Sequence, residues 1–149
     1  MLFGRSYEPG SSVEERRRKA VELPLRSLAH LGDAVHELYQ RERLALEHQT
    51  MKGLHNSVVA LVNSRQQARL LQNIKDQDLL TEQEADLVRR ARNLKTAGFR
   101  KNVEQSTLRQ ATAFEALVGF LYLTDEARLM DVLQKAEIAR ISEDLEEEI

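Results

Sequence analysis

Apolar residues recur at helical spacing along most of this chain and almost nowhere in strict alternation. In SLAHLGDAVHELY (residues 27–39), Leu28, Leu31, Val35, Leu38 and Tyr39 follow the three-to-four-residue period of a buried helix face. The pattern runs from Leu25 to about Leu46, with Pro24 suited to a first turn. In LHNSVVALVNSRQQARLLQNI (54–74), Val58, Leu61, Val62, Ala68, Leu70 and Leu71 repeat it, with a break expected near Asn63 and Ser64. LLTEQEADLVRRAR brings Thr81 and Glu84 three residues apart, the spacing of a capping box. STLRQATAFEALVGFLYLT (106–124) is the most apolar segment, and EARLMDVLQKAEIARI (126–141) is an amphipathic last helix. Alternating β-branched runs are missing. The expectation is a single all-α domain of about five to seven helices. Residues 1–20 read as a flexible lead-in with helix allowed after Ser12, residues 21–141 as the domain, and 142–149 as an acidic tail.

Composition narrows the chemistry. At 149 residues the chain is long enough to bury a real core. It has no apolar run long enough to span a membrane, and its start lacks the pattern of a secretory leader. Cysteine is absent, which excludes disulfides, thiolate metal sites and a cysteine nucleophile, and is compatible with the cytoplasm. The net charge of −2 hides an asymmetry. RRARNLKTAGFRKN (89–102) holds six Lys/Arg and no acid, whereas SEDLEEEI (142–149) holds five acids and no base. Local patches, not the total, set the field that a polyanion meets.

Two carboxylates break otherwise core-like helices. Asp33 follows Gly32 in the first, and Glu115 lies four residues before Gly119 in ATAFEALVGF. A charge in such a place is costly unless it is paired or bound to a metal. A glycine lets another backbone or a ligand come close. On pattern alone both acids could be structural, each bonded to an arginine or a helix N-terminus, and that is the more ordinary case. They could also converge on one hard divalent ion, since Mg²⁺ often takes one or two protein carboxylates and fills the rest of its shell with water and phosphate.

The basic segment divides in the same way. Arg89 and Arg90 suit the C-terminal end of a helix, where cations are favoured. Lys95, Arg100 and Lys101 lie beyond that end and suit a polyanion's backbone better. Phe99 is the only ring in the segment, so phosphate and shape recognition of a duplex fits it better than base stacking. None of the four histidines has zinc-ligand spacing, and His30 and His36 are expected to pack or face solvent. Ser57, Ser64 and Ser106 lack triad partners, and no glycine-rich loop supports a nucleotide cofactor.

LAHLGDAVHELY resembles the signature helix of the ribonuclease III catalytic domain, and ATAFEALVGFLYL resembles its second motif; each carries a metal-binding acid. VNSRQQA and RRARNLKTAGFRKN resemble segments of the short Mini-ribonuclease III branch, which lacks a double-stranded-RNA-binding domain. The resemblance covers about residues 25–133. It implies a helical nuclease domain over 21–141, with Asp33 and Glu115 holding Mg²⁺, or Mn²⁺ in its place. It implies RNA contacts from Arg89, Arg90, Arg92, Asn93, Lys95, Arg100, Lys101 and Asn102, and from Lys52 and His55. It further implies a cytoplasmic homodimer that cuts double-stranded RNA, with precursor large-subunit (23S) ribosomal RNA as substrate. Two further acids of full-length ribonuclease III are replaced here by Ala29 and Thr112, which also looks typical of the branch. Their loss keeps a second reading open, a non-catalytic RNA-binding or ribosome-associated scaffold. In the basic segment Ala91 and Arg100 stand where the branch usually has Gly and Pro. Glu37, one turn beyond Asp33, is expected to face solvent rather than to support a metal ligand.

Overall fold

The computed structural model describes residues 12–94 and 104–148. Among these there are seven helices and no strand: α1 Val13–Glu22, α2 Leu25–Ala45, α3 Met51–Val62, α4 Ser64–Asp76, α5 Glu82–Arg92, α6 Gln105–Thr124 and α7 Glu126–Glu147. The all-α architecture read from the apolar period is the one observed.

Local chemistry sets most of the boundaries. The Ser12 hydroxyl accepts the Glu15 N–H at 3.1 Å and starts α1, whose Ala20 is buried in the core. Pro24 sits one place before α2, as its cap, and its carbonyl accepts the Ser27 and Leu28 N–H groups. Asn63 both closes α3 and opens α4. Its amide donates to the Val59 and Ala60 carbonyls, while its Oδ1 accepts from the Gln66 N–H. Thr81 and Glu84 form the expected reciprocal capping box. Glu84 has a second task. Its buried carboxylate takes the Arg128 guanidinium at 2.6 Å, and Arg128 also donates to the Leu79 carbonyl. Arg128 thereby ties the start of α7 to the α4–α5 turn.

The central element is α6, with α1, α2, α4, α5 and α7 packed on it. Every residue from Ala116 to Tyr122 is buried, as a helix that is apolar all round requires. Phe114, Leu117 and Leu121 meet Leu28 of α2, Leu70, Leu71 and Ile74 of α4, Leu87 of α5, and Leu129 and Leu133 of α7 in one core.

The acidic run is not a separate strand of chain as far as it is described. α7 continues past Ile141 to Glu147, and Glu143 and Asp144 both pair with Arg69 of α4. Arg140 adds bonds to Glu137 and Asp144. No helix among the described residues is long and apolar enough to cross a membrane.

Candidate active site

The two helices that carry the odd acids touch backbone to backbone. A Cβ added at Gly32 would stand 2.6 Å from the Glu115 carbonyl carbon and 2.9 Å from the Gly119 nitrogen. One added at Gly119 would stand 2.9 Å from the Leu28 carbonyl carbon and 3.2 Å from the Gly32 nitrogen. Real side chains do not tolerate such contacts, so both glycines are required by the crossing rather than by backbone conformation. Asp33 follows Gly32 directly, and Glu115 supplies the carbonyl that Gly32 meets. The backbones of both acidic residues therefore lie at a single junction of α2 and α6.

Their environments correct part of the sequence reading. Asp33 looked like an acid inside the core, but it is exposed. The buried face of α2 runs through Leu28, Gly32, Val35, His36 and Tyr39, and Asp33 lies about 100° around the helix from Gly32. A buried structural acid is thus ruled out for Asp33. Glu115 is half-buried and has interactions of its own. Glu37 bonds to Arg41 at 2.8 Å in an exposed pair, the solvent-facing role expected of it.

Where α2 faces the core it carries polar groups that sequence reasoning did not single out as a set. His36 and Gln40 are both fully buried. Gln40 Nε2 lies 3.2 Å from His36 Nε2 and donates to Glu137 of α7 at 2.7 Å. Gln67 Nε2 of α4 stands 3.5 Å from His36 Nδ1, and the imidazole meets the Phe114 ring edge-on at a centroid distance of 5.0 Å. Burial pushes His36 down to about 4, against smaller upward pulls from Glu137 and Asp33, with Arg43 adding to the fall. The available signal was a His–Gln pair at i, i+4 on the same face as Leu28 and Gly32.

The described part of the basic segment lies at the end of α5, which packs on α6. Arg89 and Arg90 are exposed and share Asp86, whose carboxyl is held below its usual range chiefly by the Arg90 hydrogen bond. Arg92 is exposed and faces Lys75 closely enough to add to the lowering that burial imposes on that ammonium. Lys75 donates to Gln110 of α6 at 3.2 Å. Exposed Asn93 closes the helix. Lys95, Arg100, Lys101 and Asn102 lie outside the described residues. Lys52 and His55 are exposed on α3, which packs mainly on α2 and α4 rather than on α6. Ala29 is buried, and the Thr112 hydroxyl bonds back to the Leu108 carbonyl, so neither place supplies a carboxylate.

Seven helices among the described residues, two of them crossing at Gly32 and Gly119, are the class of structure that the comparisons define more closely. The ribonuclease III domain model matches residues 26–126. A Mini-ribonuclease 3 from Thermoanaerobacter sp. (strain X514) is 44% identical over 109 residues, covering 72% of this chain and 75% of the relative. One from Symbiobacterium thermophilum is 43% identical over 116 residues, covering 76% and 88%. The crystal structure of protein FN1578 from Fusobacterium nucleatum superposes with a TM-score of 0.68 at 28% identity, covering 82% of this chain and 95% of that one. The chain belongs to the ribonuclease III family, in its Mini-ribonuclease III branch, and is an endoribonuclease by that membership.

Proposed function

We propose that the protein is a Mg²⁺-dependent endonuclease for double-stranded RNA, with Asp33 and Glu115 as its metal-holding and catalytic acids. The observation that carries this is the Gly32–Gly119 crossing, which brings the backbone of Glu115 against the residue that precedes Asp33. The donor set fits the ion. It is all oxygen, and one of the two acids is open to solvent. Such a site suits a hard cation that keeps most of its water, and Mn²⁺ would fit it too. When bound, the ion lowers the pKa of a water and offsets the charge that develops on phosphate.

The chain's own part is placement. Asp33 and Glu115 hold the scissile phosphate's surroundings from two helices fixed at one point. Arg89, Arg90, Arg92 and Asn93 hold the flanking backbone from the end of α5, with Lys95, Arg100, Lys101 and Asn102 continuing that run in sequence. Lys52 and His55 add contacts from α3. Asp86 neutralises one of the two charges of Arg89 and Arg90, so Arg92 counts for more than its neighbours. A homodimer would pair two such sites across the pseudo-twofold of a duplex and cut both strands, leaving 5′-phosphate and 3′-hydroxyl ends. The substrate that fits this branch is precursor large-subunit ribosomal RNA, which places the work in the cytoplasm.

Ala29 and the self-bonded Thr112 favour one alternative, an RNA-binding scaffold without catalysis. Cleavage of a long duplex RNA in Mg²⁺ or EDTA separates the two. The nuclease cuts only with metal; the scaffold binds and leaves the RNA intact.

A further inference from the structure

Two helices that cross over bare glycines come close, but the glycines offer no side chain to set how one helix is rotated on the other. Something else must fix α2 against α6 if Asp33 and Glu115 are to meet one ion. The imidazole of His36 stands one turn from Gly32 and packs edge-on against Phe114, the neighbour of Glu115. It is fully buried and is tied to α4 through Gln67 and to α7 through Gln40 and Glu137.

The hydrogen bonds determine its state. Gln40 Oε1 accepts two bonds from Arg43, at 3.2 and 2.8 Å, and its Nε2 donates to Glu137. Both partners fix the amide in one orientation, so only its N–H can face His36. Nε2 of His36 must then be an acceptor, and the ring proton must lie on Nδ1. Gln67 turns its Nε2 toward Nδ1 at 3.5 Å, and two N–H groups cannot both be accepted by a ring that carries a proton; with Gln40 fixed, it is the Gln67 amide that must rotate about its last bond and present its oxygen to the Nδ1–H. An imidazolium would set an N–H against the Gln40 N–H, which agrees with the downward push that burial gives this group.

We propose that His36, as the neutral Nδ1–H tautomer, is a positioning residue that fixes α2 on α6 so that Asp33 and Glu115 share one divalent ion. It touches neither substrate nor metal. The role rests on the nuclease reading above, but the tautomer does not.

The test has three readouts on the full chain. Long-range ¹H–¹⁵N NMR of the wild-type histidine rings should show a buried imidazole protonated on Nδ1. The Mg²⁺ concentration for half-maximal cleavage of duplex RNA should rise about tenfold in His36→Phe, which keeps the ring contact but strands both amides. His36→Gln can still accept from Gln40 and should recover most of that loss. Direct titration with Mn²⁺, read by paramagnetic broadening near Phe114, should show the same order without any need for activity. A buried Nε2–H signature overturns the assignment. So does a His36→Phe protein that is folded by circular dichroism and keeps the wild-type Mg²⁺ requirement, since a merely structural residue would lower stability alone. A wild-type protein that neither cuts RNA nor broadens with Mn²⁺ counts against the nuclease reading itself, while the NMR signature still decides the tautomer.

Discussion

Lowering the pH from 7 to 5 should destabilise this protein through one buried ring. In the folded chain His36 is held down to about 4, against an ordinary value of 6.5. Between those values the unfolded chain binds a proton that the folded chain refuses, so stability rises with pH across that window. The contribution is complete above pH 6.5 and is lost as pH falls toward 4. At 1.36 kcal/mol per unit the full loss is about 3 kcal/mol, and the part spent between pH 7 and 5 is about 2 kcal/mol. Because His36 is fully buried, solvent does not dilute the effect. Urea unfolding at pH 7 and pH 5 measures it, with His36→Phe as the reference. Exposed His30 and His55 and partly exposed His48 are common to both proteins and cancel in the difference. The wild type should lose about 2 kcal/mol more than the variant over this range. Equal losses in the two proteins would refute the argument.

Three further outcomes follow from packing and caps. Gly32→Ala gains about 1 kcal/mol of helix propensity but drives a methyl into the backbone of α6, a cost of about 3 kcal/mol; a net loss of about 2 kcal/mol by urea unfolding is expected, and a neutral or stabilising result would contradict the crossing. Arg128→Ala strands the buried Glu84 carboxylate; because the guanidinium is 28% exposed, the loss should be about 2–3 kcal/mol by the same assay rather than the larger cost of a fully buried pair, and a loss below about 1 kcal/mol would show the pair to be ornamental. Asp78 has φ 52 just past α4, where the Leu79 N–H reaches the Ile74 carbonyl and the Asp78 N–H the Lys75 carbonyl; Asp78→Gly should therefore raise stability by about 0.5 kcal/mol, the strain relieved slightly exceeding the added freedom of the unfolded chain, and a fall in Tm would count against that balance.

Much of the fold was legible because it is written locally. Asn63 and the Thr81–Glu84 pair act within four residues of themselves, so their spacing was enough. The exposure of Asp33 was not legible in the same way. One helical position separates the buried Gly32 from the exposed Asp33, and a stripe inferred from apolar spacing is wider than that. α7 runs past the apolar pattern, to Glu147, for an energetic reason. Acids at a helix C-terminus oppose the macrodipole, so the sequence favours a stop at Ile141. Arg69, 74 residues away from Glu143 in the chain, offsets that cost. The His36 network was hidden for the same reason, since Gln40 and Glu137 are 97 residues apart. Of the candidate site, the two acids and their glycines could be named from sequence. That the glycines meet each other required the packing of α2 on α6.

Whether Asp33 and Glu115 hold a catalytic metal is decided by cleavage of a long double-stranded RNA by wild type, Asp33→Asn and Glu115→Gln, each with Mg²⁺ or EDTA. Cutting is expected from the wild type alone, only with Mg²⁺, while all three proteins stay folded and still bind the RNA. Cutting that survives in either variant, or that ignores EDTA, would contradict a two-carboxylate metal site at the glycine crossing.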